Sequence, residues 1–290
     1  MGDTLACRDP ELCISIDVER DYRLDGRLTS RGIEDGLPVY LDFLRSHDVP
    51  HDLFVSAEVA SQVPEGMFDA GRSLGALGCH GLTHEPGVRS YLNRKSSAVL
   101  ERELRTATES IHARFGYLPA HFRAPNFSTS AETISVLDQL GYRSDSSVLP
   151  GRLVRRWRAL PLLDHRSAPT DPYYPDPRSP VRQGASSILE VPITPNPFAA
   201  GSPLGLGFLH YSGTKTALQA IKRVRSRYVV FLAHSWEMVS WQDSDPVAPW
   251  VRRSSAASTK TFEDLLAQLG MIRYVNMDRI VDAYAGSAST

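Results

Sequence analysis

The sequence predicts an α/β fold, a distorted (β/α)7-8 barrel with parallel strands. Three observations support this prediction. Strand-like and helix-like segments alternate about seven times along the 290 residues, which is typical of a parallel sheet wound with helices. Candidate polar residues stand at the C-terminal ends of several different strands, and a barrel gathers such ends at one mouth. No G-x-G-x-x-G follows the first strand, so the phosphate cradle of a dinucleotide fold is missing.

The predicted strands are short apolar runs, most of them rich in β-branched or aromatic residues. The first of them, LCISIDV, is typical of a buried strand. In chain order these segments are residues 12–18, 51–57, 76–80, 120–125, 142–148, 187–193, 228–234 and 272–276.

Between these strands, apolar residues recur at helical spacing and predict helices. The clearest helix covers 96–116, where Gly116 is a C-terminal stop. Ser130 with Thr133 is typical of a helix start, and Gly141 of the end of that helix. The predicted helices are 33–48 with Pro38 in its first turns, a stretch through Met67, Ala70 and Leu74, 96–116, 130–141, 214–226, 258–269 and 278–285.

Residues 161–207 break this alternation, because proline and glycine are dense there. Within this region only 187–193 predicts a strand. The segment APTDPYYPDPRSP, residues 168–180, predicts a long surface loop of the kind on which sites are often shaped. Because no clean linker divides the chain, we expect residues 1–290 to form a single domain that carries this Pro/Gly-rich loop region.

The composition argues against several classes of protein. Hydrophobic residues make up 42% and charged residues 22%, as in ordinary soluble proteins, and a net charge of −1 without a basic block argues against nucleic acid. No apolar run approaches the roughly 18 residues of a membrane span. Cys7, Cys13 and Cys79 lack CxxC spacing and the N-terminus lacks signal-peptide features, so we expect a reduced, cytoplasmic protein.

The first predicted strand ends in two carboxylates. Asp17 and Glu19 are two residues apart, so on a strand both side chains leave the same face. Two carboxylates at the end of an apolar strand repel each other and resist burial, and a nearby cation makes their charge easier to hold. The alternative is that both residues simply open a solvated loop.

Two histidines, His80 and His84, follow the third predicted strand at a spacing of four positions. Both rings can hold one cation if the segment is helical or tightly turned, and Gly78 and Gly81 favour a close bend. Two imidazoles with one carboxylate would leave positions open for water and substrate, as in catalytic metal sites. The alternative is a pair of loop histidines with local hydrogen bonds.

Three more polar residues stand at predicted strand ends. Arg123 is either a surface charge or a group that holds a carboxylate bidentately and keeps it ionised. Asp145 ends the strand in GYRSDSS. His234 ends YVVFLAH, where a histidine is either a satisfied core group or, at the mouth of a barrel, a proton carrier.

Four motifs, in this order, resemble the polysaccharide deacetylase family (carbohydrate esterase family 4), whose members are metal-dependent N-deacetylases on a distorted β/α barrel. GYRSDSS and FLAHSWE are similar to the versions in its intracellular branch. Where the common first motif has adjacent aspartates, Val18 separates Asp17 from Glu19 here, similar to a variant in which the second acid binds metal. The resemblance covers residues 12–283, and its motifs are SIDVE, His80-x-x-x-His84, Arg123-x-Pro125 and Leu232-x-His234.

The resemblance implies hydrolysis of an acetamide by metal-activated water. The divalent metal would be Zn²⁺, with Co²⁺, Ni²⁺ and Mn²⁺ as alternatives. The implied roles are metal ligation by Glu19, His80 and His84, proton abstraction from water by Asp17 steered by Arg123, and protonation of the departing amine by His234.

The remaining candidates have less definite roles. A backbone N–H near Asn126 matches the position of the family's oxyanion donor. Asp145 would hold or tune one of the two proton carriers. Trp236 and Tyr22 are candidate pocket walls that stack on a sugar ring, and ordinary packing is the alternative for both.

The implied substrate is an N-acetylated amino sugar, either a glycan precursor or a glycosylated metabolite. One alternative is allantoinase-like hydrolysis of a cyclic amide. A second is a non-haem Fe(II) oxygenase, which also uses two histidines and a carboxylate, usually on all-β folds. A third is a barrel that binds glycans without turnover. The sequence leaves the oligomeric state open.

Overall fold

The computed structural model of the protein describes residues 10–64, 75–85, 90–156 and 160–287. The predicted helix through Met67, Ala70 and Leu74 lies outside these residues, as does Cys7. Within them, the strands in chain order are β1 (Glu11–Val18), β2 (His51–Val55), β3 (Leu77–Cys79), β4 (His121–Phe122), β5 (Ser144–Asp145), β6 (Leu153–Arg156), β7 (Leu160–Asp164), β8 (Pro175–Asp176), β9 (Ser179–Gln183), β10 (Leu189–Glu190) and β11 (Tyr228–His234).

The main sheet of the described chain has seven strands in the order β10-β5-β4-β3-β2-β1-β11, and each pairing is parallel. Two segments span the opening between its edge strands. Leu204 donates its N–H to Thr194 at 2.8 Å, and Leu232 of β11 donates to Leu204 at 3.1 Å. The sheet therefore curls into the predicted distorted barrel, and the carboxyl ends of its strands meet on one side.

Helices cover the outside of this sheet. Every helix in the described ranges falls short of the length and apolar character needed to cross a bilayer. The helices are α1 (Leu37–Ser46), α2 (Ser97–Phe115), α3 (Ala131–Gln139), α4 (Leu206–Ser212), α5 (Thr214–Arg223), α6 (Pro249–Arg253), α7 (Lys260–Leu269) and α8 (Met277–Ser287).

Local sequence signals set several helix ends. Ser130 and Thr133 form a reciprocal capping box at the start of α3, which satisfies two backbone N–H groups. Gly116 ends α2 in the left-handed conformation, with φ of 76°. A π-helical turn, Gly32–Gly36, precedes α1, and Pro38 lies in the first turn of α1, where a missing N–H costs nothing.

Alternation along β1 sends its side chains to opposite sides of the sheet. Ile14 and Ile16 are buried in the large apolar cluster that includes α1 and α2, and each contributes about 1.5–3 kcal/mol. Ser15 and Asp17 point the other way, and both accept a hydrogen bond from Arg123. Asp17 is the last residue of β1 that points inward, so its side chain lies at the mouth of the barrel.

Two predicted features of the second half differ from the structure. The region 161–207 contains most of β7, the β8–β9 hairpin and the start of α4 besides the short strand β10. The predicted strand 272–276 makes only an isolated parallel bridge, between Leu12 and Tyr274. The first difference arises because proline-rich segments carry little of the usual strand pattern. The second arises because 272–276 has a strand pattern but joins the sheet only at the bridge to Leu12.

Candidate active site

A cavity of about 750 Å³ opens where the carboxyl ends of β1, β3 and β11 meet. Asp17 and His234 are direct partners in the register of β1 and β11. Arg123 lies fully buried behind Asp17. Most of the predicted site residues line this cavity, namely Asp17, Glu19, Tyr22, His80, His84, Asn126, His234 and Trp236.

Glu19, His80 and His84 converge so that one ligand atom from each lies within 4.8 Å of the others. The Oε2 atom of Glu19 is 3.3 Å from Nε2 of His80 and 3.2 Å from Nε2 of His84. That oxygen is buried and has no hydrogen-bond partner in the described chain, which is rare for a buried polar atom. Two imidazoles with one carboxylate are a donor set of catalytic zinc sites, so these residues fit a divalent cation.

The hydrogen bond of His80 fixes which of its ring nitrogens is free. Nδ1–H donates to the carbonyl of Arg123 at 2.9 Å, and a carbonyl can only accept. When the ring is neutral, as metal ligation requires, the Nε2 lone pair faces the carboxylate of Glu19, and a cation between these two acceptors would stabilise them. Although burial opposes ionisation, the neighbouring histidines lower the pKa of Glu19, which keeps it an anionic ligand.

A tight turn, rather than a helix, brings His84 back towards His80, and the ring centroids are 5.4 Å apart. Gly81 has φ of 77°, and a Cβ there would lie 3.1 Å from the ring of Pro125, so this turn requires glycine. Glu58 accepts the backbone N–H of His84 at 2.7 Å and fixes the end of the turn.

Arg123 holds Asp17 through a single contact. Its Nη1–H donates to Oδ1 of Asp17 at 2.7 Å, while Nε and Nη2 donate to Ser146 and Ser15. The prediction of a bidentate pair is therefore wrong, because the rest of the guanidinium fork is used by other acceptors. Oδ2 of Asp17 is left facing the cavity.

His234 lies between two acidic groups. Its Nε2 lies 4.0 Å from Oδ2 of Asp17, and its Nδ1 lies 3.3 Å from Oε1 of Glu237. The other oxygen of Glu237 accepts the backbone N–H of His234 at 3.0 Å. Although burial acts to lower it, the charges of Glu237, Glu19 and Asp17 raise the pKa of His234 to about 9. The ring is thus suited to give up a proton in the cavity.

Trp236 does more than form a wall. It stacks on His234 with ring centroids 4.9 Å apart, and its Nε1–H donates to Oε1 of Glu19 at 2.8 Å. Tyr22 is 37% exposed, with its ring centroid 5.3 Å from that of Trp250. Trp236 therefore positions both a candidate ligand and a candidate proton carrier, and Tyr22 offers an open aromatic face.

Asn126 lies in a 3-10 turn, Pro125–Phe127, with φ of 55°. Asparagine tolerates this left-handed conformation better than most residues. Its Nδ2 donates to the hydroxyl of Ser90 at 2.8 Å, which ties the turn to the neighbouring segment at the cavity.

Asp145 does not reach the cavity, contrary to its predicted role beside a proton carrier. It is fully buried in β5 and accepts hydrogen bonds from the hydroxyls of Thr129 and Ser147. Glu237, rather than Asp145, contacts His234. Burial raises the pKa of Asp145 to about 6, despite these two hydrogen bonds.

We expect Asp145→Asn to preserve turnover and to change the pH dependence of stability. In the folded protein the pKa of Asp145 is about 6 against an ordinary 3.8, so this carboxyl favours folding in acid, and that contribution is lost as pH rises through 6. The asparagine cannot ionise, so above pH 6 the free energy of unfolding of the variant should be at least that of the wild type, and higher by up to about 1–3 kcal/mol. Urea unfolding at pH 4 and pH 7, with steady-state rates, measures both effects. A rate loss above about tenfold with unchanged stability would restore a catalytic role.

Two contacts of the site were not predicted. Glu58 lies in the 3-10 turn Ala57–Gln62, 26 residues before His84, and no local pattern joins the two. Glu237 is the third residue of the 3-10 turn Ser235–Met238, three positions after His234, and this capping-box spacing is a usable signal.

Comparison with known families supports the resemblance predicted from the sequence. Residues 26–144 match the family described as polysaccharide deacetylase. No curated protein sequence matches the chain.

Solved structures show the same fold at low identity. A protein of Mycobacterium smegmatis described as a polysaccharide deacetylase is 16% identical with a TM-score of 0.66, covering 99% of this chain and 94% of that one. PuuE allantoinase is 12% identical with a TM-score of 0.63, over 97% and 92%. PdaA of Bacillus subtilis, a family 4 carbohydrate esterase, is 15% identical with a TM-score of 0.52, over 96% and 83%. The predicted family resemblance and barrel are confirmed.

Proposed function

We propose that this chain, whose residues 26–144 match the polysaccharide deacetylase family, removes the acetyl group from an N-acetylated amino sugar with the help of a divalent metal. One observation supports this most strongly. A buried carboxylate oxygen without a hydrogen-bond partner in the described chain lies between two imidazole nitrogens, and the free oxygen of Asp17 lies 3.8 Å from one of them.

Glu19, His80 and His84 would hold the metal, with Zn²⁺ as the first choice for this donor set. When bound, such a cation polarises a carbonyl group and makes water acidic enough to react near neutral pH. Asp17 takes up the proton of the attacking water at Oδ2, while the hydrogen bond from Arg123 to Oδ1 keeps the carboxylate aimed into the cavity.

His234 supplies the proton that the leaving group needs. As the C–N bond of the acetamide breaks, the nitrogen takes a proton from Nε2 of His234 and leaves as the free amine, and the acyl group becomes acetate. The Oε1 atom of Glu237 beside Nδ1 stabilises the protonated ring, and stacking on Trp236 fixes its plane. Proton uptake at Asp17 and proton release at His234 thus occur at atoms 4.0 Å apart.

The test is acetate release from a panel of N-acetylated sugars, measured before and after chelation. We expect release from at least one member of the panel, with a loss of about 10²-fold or more after chelation and recovery with Zn²⁺ or Co²⁺. The panel contains N-acetylglucosamine, its oligomers, N-acetylmuramic acid and N-acetylglucosamine 1-phosphate, with allantoin as the cyclic-amide competitor. Chelator-insensitive release, or opening of allantoin without any acetate release, would contradict the proposal.

The same experiment includes a variant that separates metal binding from folding. His84→Ala is expected to keep its melting temperature and to lose most of its bound metal, measured by elemental analysis. His47→Ala is the matched control, because that histidine is exposed and bonds only locally at the end of α1. Full metal content in His84→Ala would show that the ligand set is wrong.

A further inference from the structure

The charges of the cavity do not cancel. Two arginines, Arg152 and Arg253, also line it, and neither makes an ion pair with a carboxylate in the described chain. The acids of the lining are already accounted for, because Arg123 contacts Asp17, His234 lies beside Glu237, and Glu19 belongs to the proposed metal site with His80 and His84.

One hydrogen bond holds Arg152 in place, but another of its N–H donors has no acceptor in the described chain. Its Nη1–H donates to the carbonyl of Gly201 at 2.9 Å, and its guanidinium lies 5.1 Å from the ring centroid of Phe127, the residue that follows Asn126. Its Nε is buried and has no hydrogen-bond partner in the described chain. Burial also lowers the pKa of Arg152, as expected for a cation without a neighbouring anion.

Asn196, which lines the same cavity, has a second unsatisfied donor. Its Oδ1 accepts the N–H of Phe198 at 2.9 Å, which identifies the other side-chain atom as the amide nitrogen. That Nδ2 is buried and without a partner in the described chain. The backbone N–H of Asn196 donates to Ser202 at 2.8 Å, next to the Gly201 that holds Arg152.

We propose that Arg152 and Asn196 form an anion subsite that binds a phosphate or carboxylate group of the substrate; this rests on the proposed function only for the acetamide at the other end of that substrate. Buried donors without acceptors are rare in folded proteins, and anionic oxygens are their strongest complement. A cavity of about 750 Å³ has room for an amino sugar together with an attached anionic group.

The test compares three substrates that differ in charge: N-acetylglucosamine, N-acetylglucosamine 1-phosphate and N-acetylmuramic acid. Arg152→Met is expected to lower kcat/KM about 10- to 100-fold for whichever charged sugar the subsite accepts, and less than about threefold for the neutral one. The charged sugar that shows the selective loss distinguishes phosphate from carboxylate. Similar losses on all three, or no loss on any, would overturn the subsite.

Two further variants provide a second disruption of the subsite and a control. Asn196→Asp keeps the Oδ1 acceptor for Phe198 and replaces only the free donor by an anion, so it should reproduce the selective loss even if Arg152→Met is unstable. Arg253→Met is the matched control, because this exposed arginine lines the same cavity and its Nε–H donates only to the carbonyl of Pro249. An equal loss in Arg253→Met would show general attraction of anions instead of a subsite.

Binding provides a readout that does not depend on turnover. Calorimetry with N-acetylglucosamine 1-phosphate and N-acetylmuramic acid is done in Asp17→Asn, with and without Arg152→Met. We expect the dissociation constant of one charged sugar to rise about 10- to 100-fold when Arg152 is removed. This rise without acetate release by the wild type would support the subsite and refute the proposed reaction. Acetate release by the wild type with an unchanged dissociation constant would support the proposed reaction and refute the subsite.

Discussion

Asp17→Asn is expected to lose nearly all turnover while the protein keeps its metal and remains folded at the assay temperature, with a lower melting temperature because buried Arg123 loses its counter-charge. Removal of a general base costs about 10²- to 10⁴-fold in kcat, because the amide of asparagine cannot take the proton of water. The amide oxygen can still accept the hydrogen bond from Arg123, and the metal-binding atoms of Glu19, His80 and His84 are unchanged. Steady-state kinetics, elemental analysis and the melting temperature measure the three expectations separately.

Asp52→Asn is the matched control for this variant. Asp52 is also a buried aspartate, it lies on the neighbouring strand β2, and it accepts backbone N–H groups of Ala76 and Met277 away from the cavity. The same change of one carboxylate to an amide should leave kcat near the wild-type value there. If Asp17→Asn keeps more than about a tenth of the activity while the control is normal, another group accepts the proton.

The parts of this site that the sequence predicts share one property: each is marked by a local pattern. Asp17 and His234 end apolar strands, and in a parallel barrel the ends of such strands meet at one mouth. His80 and His84 follow a short apolar run at a spacing that a glycine-containing turn can close. Periodicity and chain order were sufficient for these residues because the fold itself brings them together.

The parts that the sequence could not predict depend on distant partners. Asp145 ends a strand as Asp17 does, but its carboxylate is satisfied by Thr129 and Ser147 and not by a proton carrier. Arg152 and Asn196 belong to irregular segments, and only the folded chain shows that their donors lack acceptors. Strand ends therefore predicted which residues approach the mouth, and three-dimensional pairing decided which of them face the cavity.

Arg123→Met is expected to lower the free energy of unfolding by about 3–5 kcal/mol, the largest effect on stability that we expect in the site. Arg123 is fully buried, and its Cζ lies 4.1 Å from the ring centroid of Phe54. Its guanidinium donates hydrogen bonds to Asp17, Ser15 and Ser146. Methionine fills much of its aliphatic volume but leaves the buried carboxylate of Asp17 without a cation. Urea unfolding at neutral pH gives the free-energy difference.

The double variant Arg123→Met with Asp17→Asn tests whether the orphaned charge, rather than lost packing, causes that effect. Breaking a buried ion pair from one side costs more than replacing both partners, because only the first leaves an uncompensated charge. We therefore expect the double variant to recover at least about half of the lost free energy, a coupling that a double-mutant cycle measures directly. Additive losses would show that Arg123 stabilises the barrel through its contacts with Phe54 and Ser146. In that case β1 alone would position the carboxylate of Asp17 in the cavity.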